Sequence, residues 1–165
     1  VLDAVLSGAK GVNLWASFRT PPPQRSARLY QALVNTGLAS AVSGAVLPTE
    51  EPFLYTISAT ATDGVSLDRL EGALVSEMER ARVEGITPPE LRKAKNQLRA
   101  RLVFENDSIT NIAHQLGFFQ TIASWGLYPS LSQQIEAVTV EEVGRVAADR
   151  LKPTSRTVAR FEPIR

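Results

Sequence analysis

The order of hydrophobic patterns along this chain leaves few folds open to it. In Leu38–Leu47 small and apolar residues alternate, and Phe53–Thr62 shows a similar alternation, as is typical of strands. The Pro-Thr-Glu-Glu-Pro segment between them has the composition of a turn. After residue 65, most of the chain has apolar residues at helical spacing instead. Strands followed by a run of helices predict an α+β fold, in which an antiparallel sheet is covered on one face by helices.

Helix start signals are frequent in the second half of the chain. Ser66 can cap a helix, and both Thr87–Glu90 and Thr139–Glu142 are capping boxes with a Glu three residues after the Thr. A further helix is predicted to begin near Asp107 and Ser108 and to end about Trp125 and Gly126. We expect the helices that begin near Ser66, Thr87 and Thr139 to cover the sheet.

The ends of the chain and one long loop complete the predicted order. Short helices are predicted over Val1–Ser7 and Arg25–Thr36, each followed by a glycine that can end it. Gly11–Gln24 contains three consecutive prolines and is predicted to be a loop. Arg156–Glu162 alternates in the manner of a strand, so we expect it to close the sheet as a third strand.

Composition limits the class of protein. At 165 residues the chain has the size of one domain with its own core. Eighteen Lys and Arg against 17 Asp and Glu give a net charge of +1, which predicts no nucleic-acid partner, and no apolar run is long enough to cross a membrane. The absence of Cys excludes disulfides and thiolate chemistry, and periplasmic and cytoplasmic locations both stay open. Because the chain opens with Val-Leu-Asp and not with Met or a signal peptide, we expect residues 1–165 to be a single domain from a longer protein.

The titratable residues do not form a recognisable catalytic motif. A hydrolytic zinc site needs three protein ligands, commonly His and carboxylate, and His114 is the single histidine. The sequence contains no His-x-x-Glu-His, His-Glu-x-x-His or Gly-x-Ser-x-Gly. Glu77–Arg80 and Glu90–Lys95 are mixed-charge stretches of amphipathic helices and are predicted to be solvated faces. We therefore expect no catalytic residue, metal site or cofactor in this chain.

Four stretches of the sequence carry a family resemblance. They read Ser-Ala-Arg-Leu-Tyr-Gln-Ala-Leu (26–33), Thr-Gly-Leu-Ala-Ser-Ala-Val-Ser (36–43), Gly-Ile-Thr-Pro-Pro-Glu-Leu-Arg-Lys-Ala-Lys (85–95) and Ile-Glu-Ala-Val-Thr-Val-Glu-Glu-Val (135–143). In this order, and with the predicted strand that ends at Glu162-Pro163, they resemble the non-catalytic C-terminal-type domain of insulinase-like zinc metallopeptidases. Pitrilysin and mitochondrial processing peptidase belong to that family. The resemblance covers nearly the whole chain.

This resemblance implies an α+β half-domain that closes around a chamber together with a like-shaped half. It also implies that zinc is bound by the other half, which carries His-x-x-Glu-His in the same chain or in another subunit. In this family the half without zinc contributes an Arg and a Tyr that orient the bound peptide. Matching Leu29-x-x-x-Leu33 and Gly37-Leu38-Ala39 to that pattern puts Val34 at the Arg position and Ser40 at the Tyr position.

Arg28 and Tyr30 lie near these positions and are the candidate substrate-binding residues. Their alternative role is structural, through helix docking and a buried Tyr whose hydroxyl is satisfied.

Three functions follow from these observations. The first is a non-catalytic metallopeptidase domain that helps to enclose and bind a peptide substrate, while its zinc-bearing partner half activates the water. The alternative is a structural or assembly module that has kept the fold and has no role in proteolysis. The third, an independent enzyme with an unfamiliar site, is disfavoured because the titratable residues supply neither a triad nor a set of metal ligands.

Overall fold

The computed structural model describes residues 1–11, 24–46, 49–51, 53–106 and 108–162. In chain order, these residues form the helix α1 (Leu2–Leu6), a π-helical turn (Tyr30–Val34), the strands β1 (Ala39–Val46) and β2 (Tyr55–Ala61), the helices α2 (Leu67–Glu84), α3 (Pro88–Glu105), α4 (Ile109–Ile122), α5 (Leu127–Ala137) and α6 (Val140–Arg150), and a 3-10 turn (Pro153–Ser155). The predicted succession of a helix, two strands and a run of helices is confirmed. Most of the predicted loop Gly11–Gln24 lies outside the described residues. No helix in the described part combines the length and the apolar character needed to cross a membrane.

The two strands form the predicted antiparallel hairpin. Paired residues run from Ala39 opposite Ala61 to Val46 opposite Tyr55. Ala39 and Gly44 of β1 are buried. The inward-facing residues of β2 pack against the core as half-buried side chains, and these are Tyr55, Ile57, Ala59 and Ala61. Because side chains alternate across a strand, the other face of the hairpin is exposed. The predicted α+β class, with helices on one face of an antiparallel sheet, is confirmed.

The prediction that Arg156–Glu162 forms a third strand was wrong. The sheet formed by the described residues has two strands, and residues 156–162 lie outside both. Arg160 pairs instead with Asp68 and Glu71 of α2, at 2.7 and 2.6 Å. Alternation along a sequence predicts an extended course, but a strand also requires a neighbouring strand edge. The ion pairs hold this segment against α2, where no such edge is offered.

Helices begin where their predicted caps lie. The Ser66 hydroxyl accepts a hydrogen bond from the backbone N–H three residues later, at the start of α2. Thr87 and Thr139 each form a reciprocal capping box with the Glu that follows at the third position. Ser108 caps α4 in the predicted place. Replacing such a cap with Ala typically costs about 1 kcal/mol, so these local signals favour the predicted helix starts.

The region after α4 differs from the prediction. α4 ends at Ile122, and a separate helix, α5, follows where none was predicted. The start of α5 carries no side-chain cap, because Gly126 occupies that position, so the usual sequence signal is absent. Packing holds α5 in place: Ile135 is buried, and the rings of Phe119 and Tyr128 lie 5.5 Å apart.

The short helix α1 joins two hydrophobic clusters. The first lies between α1, α3 and α6 and consists of Ala4, Val5, Ala9, Ile86, Leu91, Ala94 and Val143. The second lies beneath the hairpin and consists of Leu6, Leu29, Leu33, Ala39, Leu70 and Ala81. A helix of five residues is unstable by itself in water. Burying each large apolar side chain contributes roughly 1.5–3 kcal/mol, so Val5 and Leu6 fix α1 and give the hairpin a packed base.

Candidate functional site

The hairpin face that points away from the core is exposed and uncharged. Its residues are small or carry a hydroxyl group, and they are Ala41, Ser43, Ala45, Thr56, Ser58 and Thr60. In the described part of the chain, each of the two strands has one edge without a strand partner. Free backbone N–H and C=O groups at such an edge can pair with an extended peptide. The neutral, small side chains of this face would select little among peptide sequences.

Val34 and Ser40 occupy the positions where the family resemblance implies an Arg and a Tyr. Ser40 is the extra residue of a β-bulge, at the break in register between Ala39 and Ala41. Its exposed hydroxyl donates a hydrogen bond to the Thr60 carbonyl oxygen at 3.3 Å. Val34 is half-buried and packs against the cluster beneath the hairpin. Neither residue brings a cation or a phenol to this surface.

Arg28 forms a two-point ion pair with Glu90 of α3. Its Nε donates to Glu90 Oε1 at 2.6 Å and its Nη2 donates to Oε2 at 2.8 Å. The two side chains are 11% and 23% exposed. The hydrogen bond from Arg28 is the main cause that lowers the pKa of Glu90 to about 2, and the same bond raises the pKa of Arg28. Arg28 thus fastens the chain before the π-helical turn to the first turn of α3, which matches its alternative, structural role.

Tyr30 opens the π-helical turn, which replaces the end of the predicted helix Arg25–Thr36. The Asn35 N–H bonds to the Tyr30 carbonyl oxygen, five residues back, at 3.1 Å. Gly37, with φ +76°, ends the helix as predicted. Single π-turns occur often at functional sites. Tyr30 itself is half-buried. A substrate-binding role for Arg28 and Tyr30 stays a prediction.

The prediction that Glu77–Arg80 is a solvated face was wrong for Glu77, which is buried. Its side chain is 4% exposed and lies 2.9 Å from an Arg80 nitrogen. Burial raises the pKa of Glu77, and the charges of Arg80 and Arg28 oppose that rise. The signal was present in the sequence, because Glu77 continues the apolar helical stripe of Leu70, Leu74 and Ala81 at spacings of three and four. Together, Arg28 and the two carboxylates form a partly buried charge cluster between the π-helical turn, α2 and α3.

A second polar cluster ties α1 to the hairpin. The Tyr55 hydroxyl donates to Asp3 Oδ1 at 3.0 Å, Lys10 Nζ lies 2.9 Å from Asp3 Oδ2, and Ser7 bonds to both Asp3 and Lys10. Burial, followed by the charge of Asp3, raises the pKa of Tyr55 well above its usual value. A Cβ at Gly44 would lie 2.7 Å from the Tyr55 hydroxyl oxygen, so this position requires glycine. A glycine inside a strand pattern was the only hint of this close approach.

The described residues form no acid–base or metal centre. Ser7 and Lys10 are neighbours, but the Lys10 ammonium is paired with Asp3, so Ser7 has no neutral amine to accept its proton. No group of three or more His, Cys, Asp or Glu in the described ranges could hold a metal ion. His114 lies on an exposed part of α4. These residues therefore do not fit a zinc site.

Fold and sites together define a class of protein: an α+β domain that offers an exposed hairpin surface and no catalytic group among its described residues. The chain belongs to the family described as the Peptidase M16 inactive domain, whose sequence profile matches residues 1–98. Membership in this family confirms the predicted resemblance and the prediction that the chain is not itself an enzyme. A search of curated proteins gave no match.

Solved structures share this fold. A candidate zinc protease from Bordetella pertussis Tohama I is 22% identical, with a TM-score of 0.79 over 98% of this chain and 82% of that chain. The inactive peptidase domain of a candidate zinc protease from Bordetella parapertussis is 24% identical, with a TM-score of 0.76 over 99% and 86%. A protease from Helicobacter pylori is 19% identical, with a TM-score of 0.78, and the match spans 93% of this chain but 34% of that chain. At these identities the likeness establishes the fold.

Proposed function

We propose that this chain is the non-catalytic half of a zinc metallopeptidase and that it helps to enclose and bind a peptide substrate. Residues 1–165 are one domain of a longer protein or of a two-subunit assembly. The other half carries His-x-x-Glu-His and zinc, and it activates the water that cleaves the peptide. Membership in an inactive peptidase-domain family supports this division of roles. The two Bordetella proteins of the same fold, both described as zinc proteases, support it further.

In the described part of the chain, the free strand edges that border the exposed outer face of the hairpin are the observation that carries the substrate-binding part of the proposal. Each main-chain hydrogen bond to a peptide contributes about 0.5–1.5 kcal/mol, so a few such bonds give weak binding that enclosure by a second half would strengthen. The hydrophobic cluster beneath the hairpin, in which Leu6 and Leu33 are fully buried, keeps the hairpin rigid, so that it can serve as a wall of the peptide-binding chamber. Such a wall would hold extended peptides of many sequences.

Arg28 and Tyr30 remain the candidate peptide contacts beside this wall. Tyr30→Phe removes only the hydroxyl and leaves the π-helical turn in place, so it separates a peptide contact from a packing role. If the hydroxyl contacts the peptide, KM of the assembled peptidase should rise while the free energy of unfolding stays the same. Arg28 is a less direct test, because its replacement also removes the Glu90 ion pair.

The alternative, an assembly module without a role in substrate binding, is favoured by one observation. Val34 and Ser40 supply neither the Arg nor the Tyr that the family resemblance implies, and the nearby Arg28 is already paired with Glu90. In that case the chain would stabilise its partner half, and changes on the hairpin face would leave peptide affinity unaltered.

The test compares two exposed positions in the chain assembled with its zinc-bearing half. Ser58→Arg places a long, charged side chain on the outer hairpin face, and Thr110→Arg places the same side chain on α4 as a control. With a quenched fluorescent peptide, we expect Ser58→Arg to raise KM about tenfold and Thr110→Arg to change it less than about twofold. Equal KM values for the two variants, with both assemblies intact, would favour the assembly module.

A further inference from the structure

Helix α3 carries a local excess of positive charge. Residues 92–101 contain five cations and no Asp or Glu, although the net charge of the whole chain is +1. These cations are Arg92, Lys93, Lys95, Arg99 and Arg101. Among the residues outside the described ranges, Asp107 is the only acid, so those residues can contribute at most one negative charge. The excess is therefore a property of the sequence that the segments outside the described ranges cannot cancel.

Four residues of α3 form one exposed strip along the helix, here called the outer strip: Arg92, Asn96, Arg99 and Val103. They follow one another at spacings of four, three and four, which places them on the same side of the helix. Arg92 and Arg99 are almost two turns apart, so their Cα atoms are separated by about 10 Å. Val103 is 70% exposed. The outer strip thus offers two guanidinium groups at a set distance and an apolar residue beyond them.

The two lysines of this stretch add to the positive field of the outer strip. Lys93 Nζ donates to the Ser26 carbonyl oxygen, and Lys95 Nζ donates to the Glu136 carbonyl oxygen. A carbonyl oxygen carries only a partial charge, so neither bond neutralises an ammonium group. The carboxylate of the same Glu136 lies 3.6 Å from an Arg99 nitrogen, and both side chains are more than half exposed. The outer strip therefore already attracts a carboxylate within this chain.

We propose that the outer strip of α3 is a docking surface for an acidic segment of a protein partner that carries two carboxylates about 10 Å apart. Carboxylates seven residues apart on a helix have this spacing, and so have carboxylates three residues apart on an extended chain. Each carboxylate can accept two hydrogen bonds from one guanidinium group. Asn96 can bond to the backbone of the partner between them, and Val103 can contact an apolar side chain at one end. This association goes beyond the proposed function and does not depend on it.

Protein carboxylates fit the outer strip better than the phosphates of a nucleic acid or a membrane. Proteins that bind nucleic acids with appreciable affinity make about six to ten phosphate contacts, whereas the outer strip offers two guanidinium groups. A helix that lies on a membrane inserts an apolar face into the lipid. The apolar stripe of α3, which includes Leu91, Ala94 and Leu102, is instead buried in the domain. An acidic protein segment is therefore the occupant that the charge pattern favours.

Fluorescence anisotropy of the 165-residue chain with fluorescein-labelled octaglutamate tests the proposal. In its extended form this peptide presents pairs of carboxylates at the required spacing. At a salt concentration of about 50 mM, we expect a Kd between about 10 µM and about 1 mM. Arg92→Glu and Arg99→Glu should each raise this Kd about tenfold, because an attraction becomes a repulsion. Two variants at separate positions keep the test valid if one of them fails to fold.

Arg145→Glu is the matched control, because it makes the same change in net charge at an exposed position of α6. It should change the Kd by less than about twofold. Absence of binding at about 1 mM octaglutamate would overturn the proposal, as would equal losses of affinity in the α6 variant and the folded α3 variants.

Other occupants of the outer strip would give different results. Tighter binding of an equally charged oligothymidylate, or of phosphatidylserine vesicles, would point to phosphate and would contradict the proposal. Self-association of the chain in sedimentation equilibrium, if Arg92→Glu removes it, would identify a second copy as the partner and would contradict it as well. No peptide is cleaved in these measurements, so their failure leaves the proposed function intact.

Discussion

Replacing Glu90 with Gln should show how much the Arg28–Glu90 ion pair stabilises the domain. Glu90 has two roles: it closes the capping box at the start of α3, and it accepts two hydrogen bonds from Arg28. Gln keeps the shape of the side chain and can still complete a capping box. Glu142, in the capping box of α6, has no salt bridge with another described residue, so Glu142→Gln is the matched control.

The expected magnitude follows from the pKa of Glu90. A carboxyl whose pKa falls from its ordinary 4.5 to about 2 stabilises the folded state by about 3 kcal/mol at neutral pH. Glu90 is 23% exposed, so water screens part of this attraction. We therefore expect Glu90→Gln to lower the free energy of unfolding by about 2–3 kcal/mol, and Glu142→Gln to lower it by less than about 1 kcal/mol.

The pH dependence supplies a second and sharper criterion. Because the pKa of Glu90 is lowered by folding, its contribution is fully present above pH 4.5 and is lost as the pH falls towards 2. The gap between the original chain and Glu90→Gln should therefore be constant from neutral pH to about pH 5 and shrink to less than half by about pH 3. Glu77 is present in both proteins, but the charge of Glu90 is one cause of its raised pKa, so Glu90→Gln also lessens that rise.

Urea unfolding followed by circular dichroism measures these differences. A double-mutant cycle with Arg28→Met isolates the pair from other effects of each change. Equal losses for Glu90→Gln and Glu142→Gln would refute the reasoning. A gap that does not change with pH would refute it as well, because it would show that the charge of Glu90 contributes nothing to stability.

Three further predictions use the same chain. Gly44→Ala should destabilise it by about 1–3 kcal/mol in urea unfolding, since the new Cβ would lie 2.7 Å from a tyrosine hydroxyl, whereas Gly72→Ala, in open space on α2, should stabilise it slightly. Leu102→Ala should cost about 2–5 kcal/mol and the half-buried Leu98→Ala less; losses under about 1 kcal/mol at both would show the wrong helix face. Elemental analysis and a peptide library should find neither stoichiometric zinc nor hydrolysis. Chelator-sensitive cleavage lost in His114→Ala would contradict this.

Much of the fold could be predicted because its signals are local. Ser66, Thr87 and Thr139 satisfy backbone N–H groups within three residues of themselves, so the helix starts depend on nothing distant. The alternation on both sides of a short turn likewise fixed the hairpin and the face it buries. The family resemblance rested on four short stretches of sequence, two of which contain Thr87 and Thr139, so the family could be predicted without coordinates.

What only the tertiary structure decided depends on residues far apart in the chain. Whether Arg156–Glu162 becomes a strand depends on a neighbouring edge, and Arg160 meets α2 instead. Arg28 likewise faces Glu90 across 62 positions of sequence, and no local pattern predicts that pair. Periodicity indicates which side of a helix or strand is apolar. Ion pairs and strand pairs between separate elements form only where packing brings those elements together, and the local sequence does not give the distance between them.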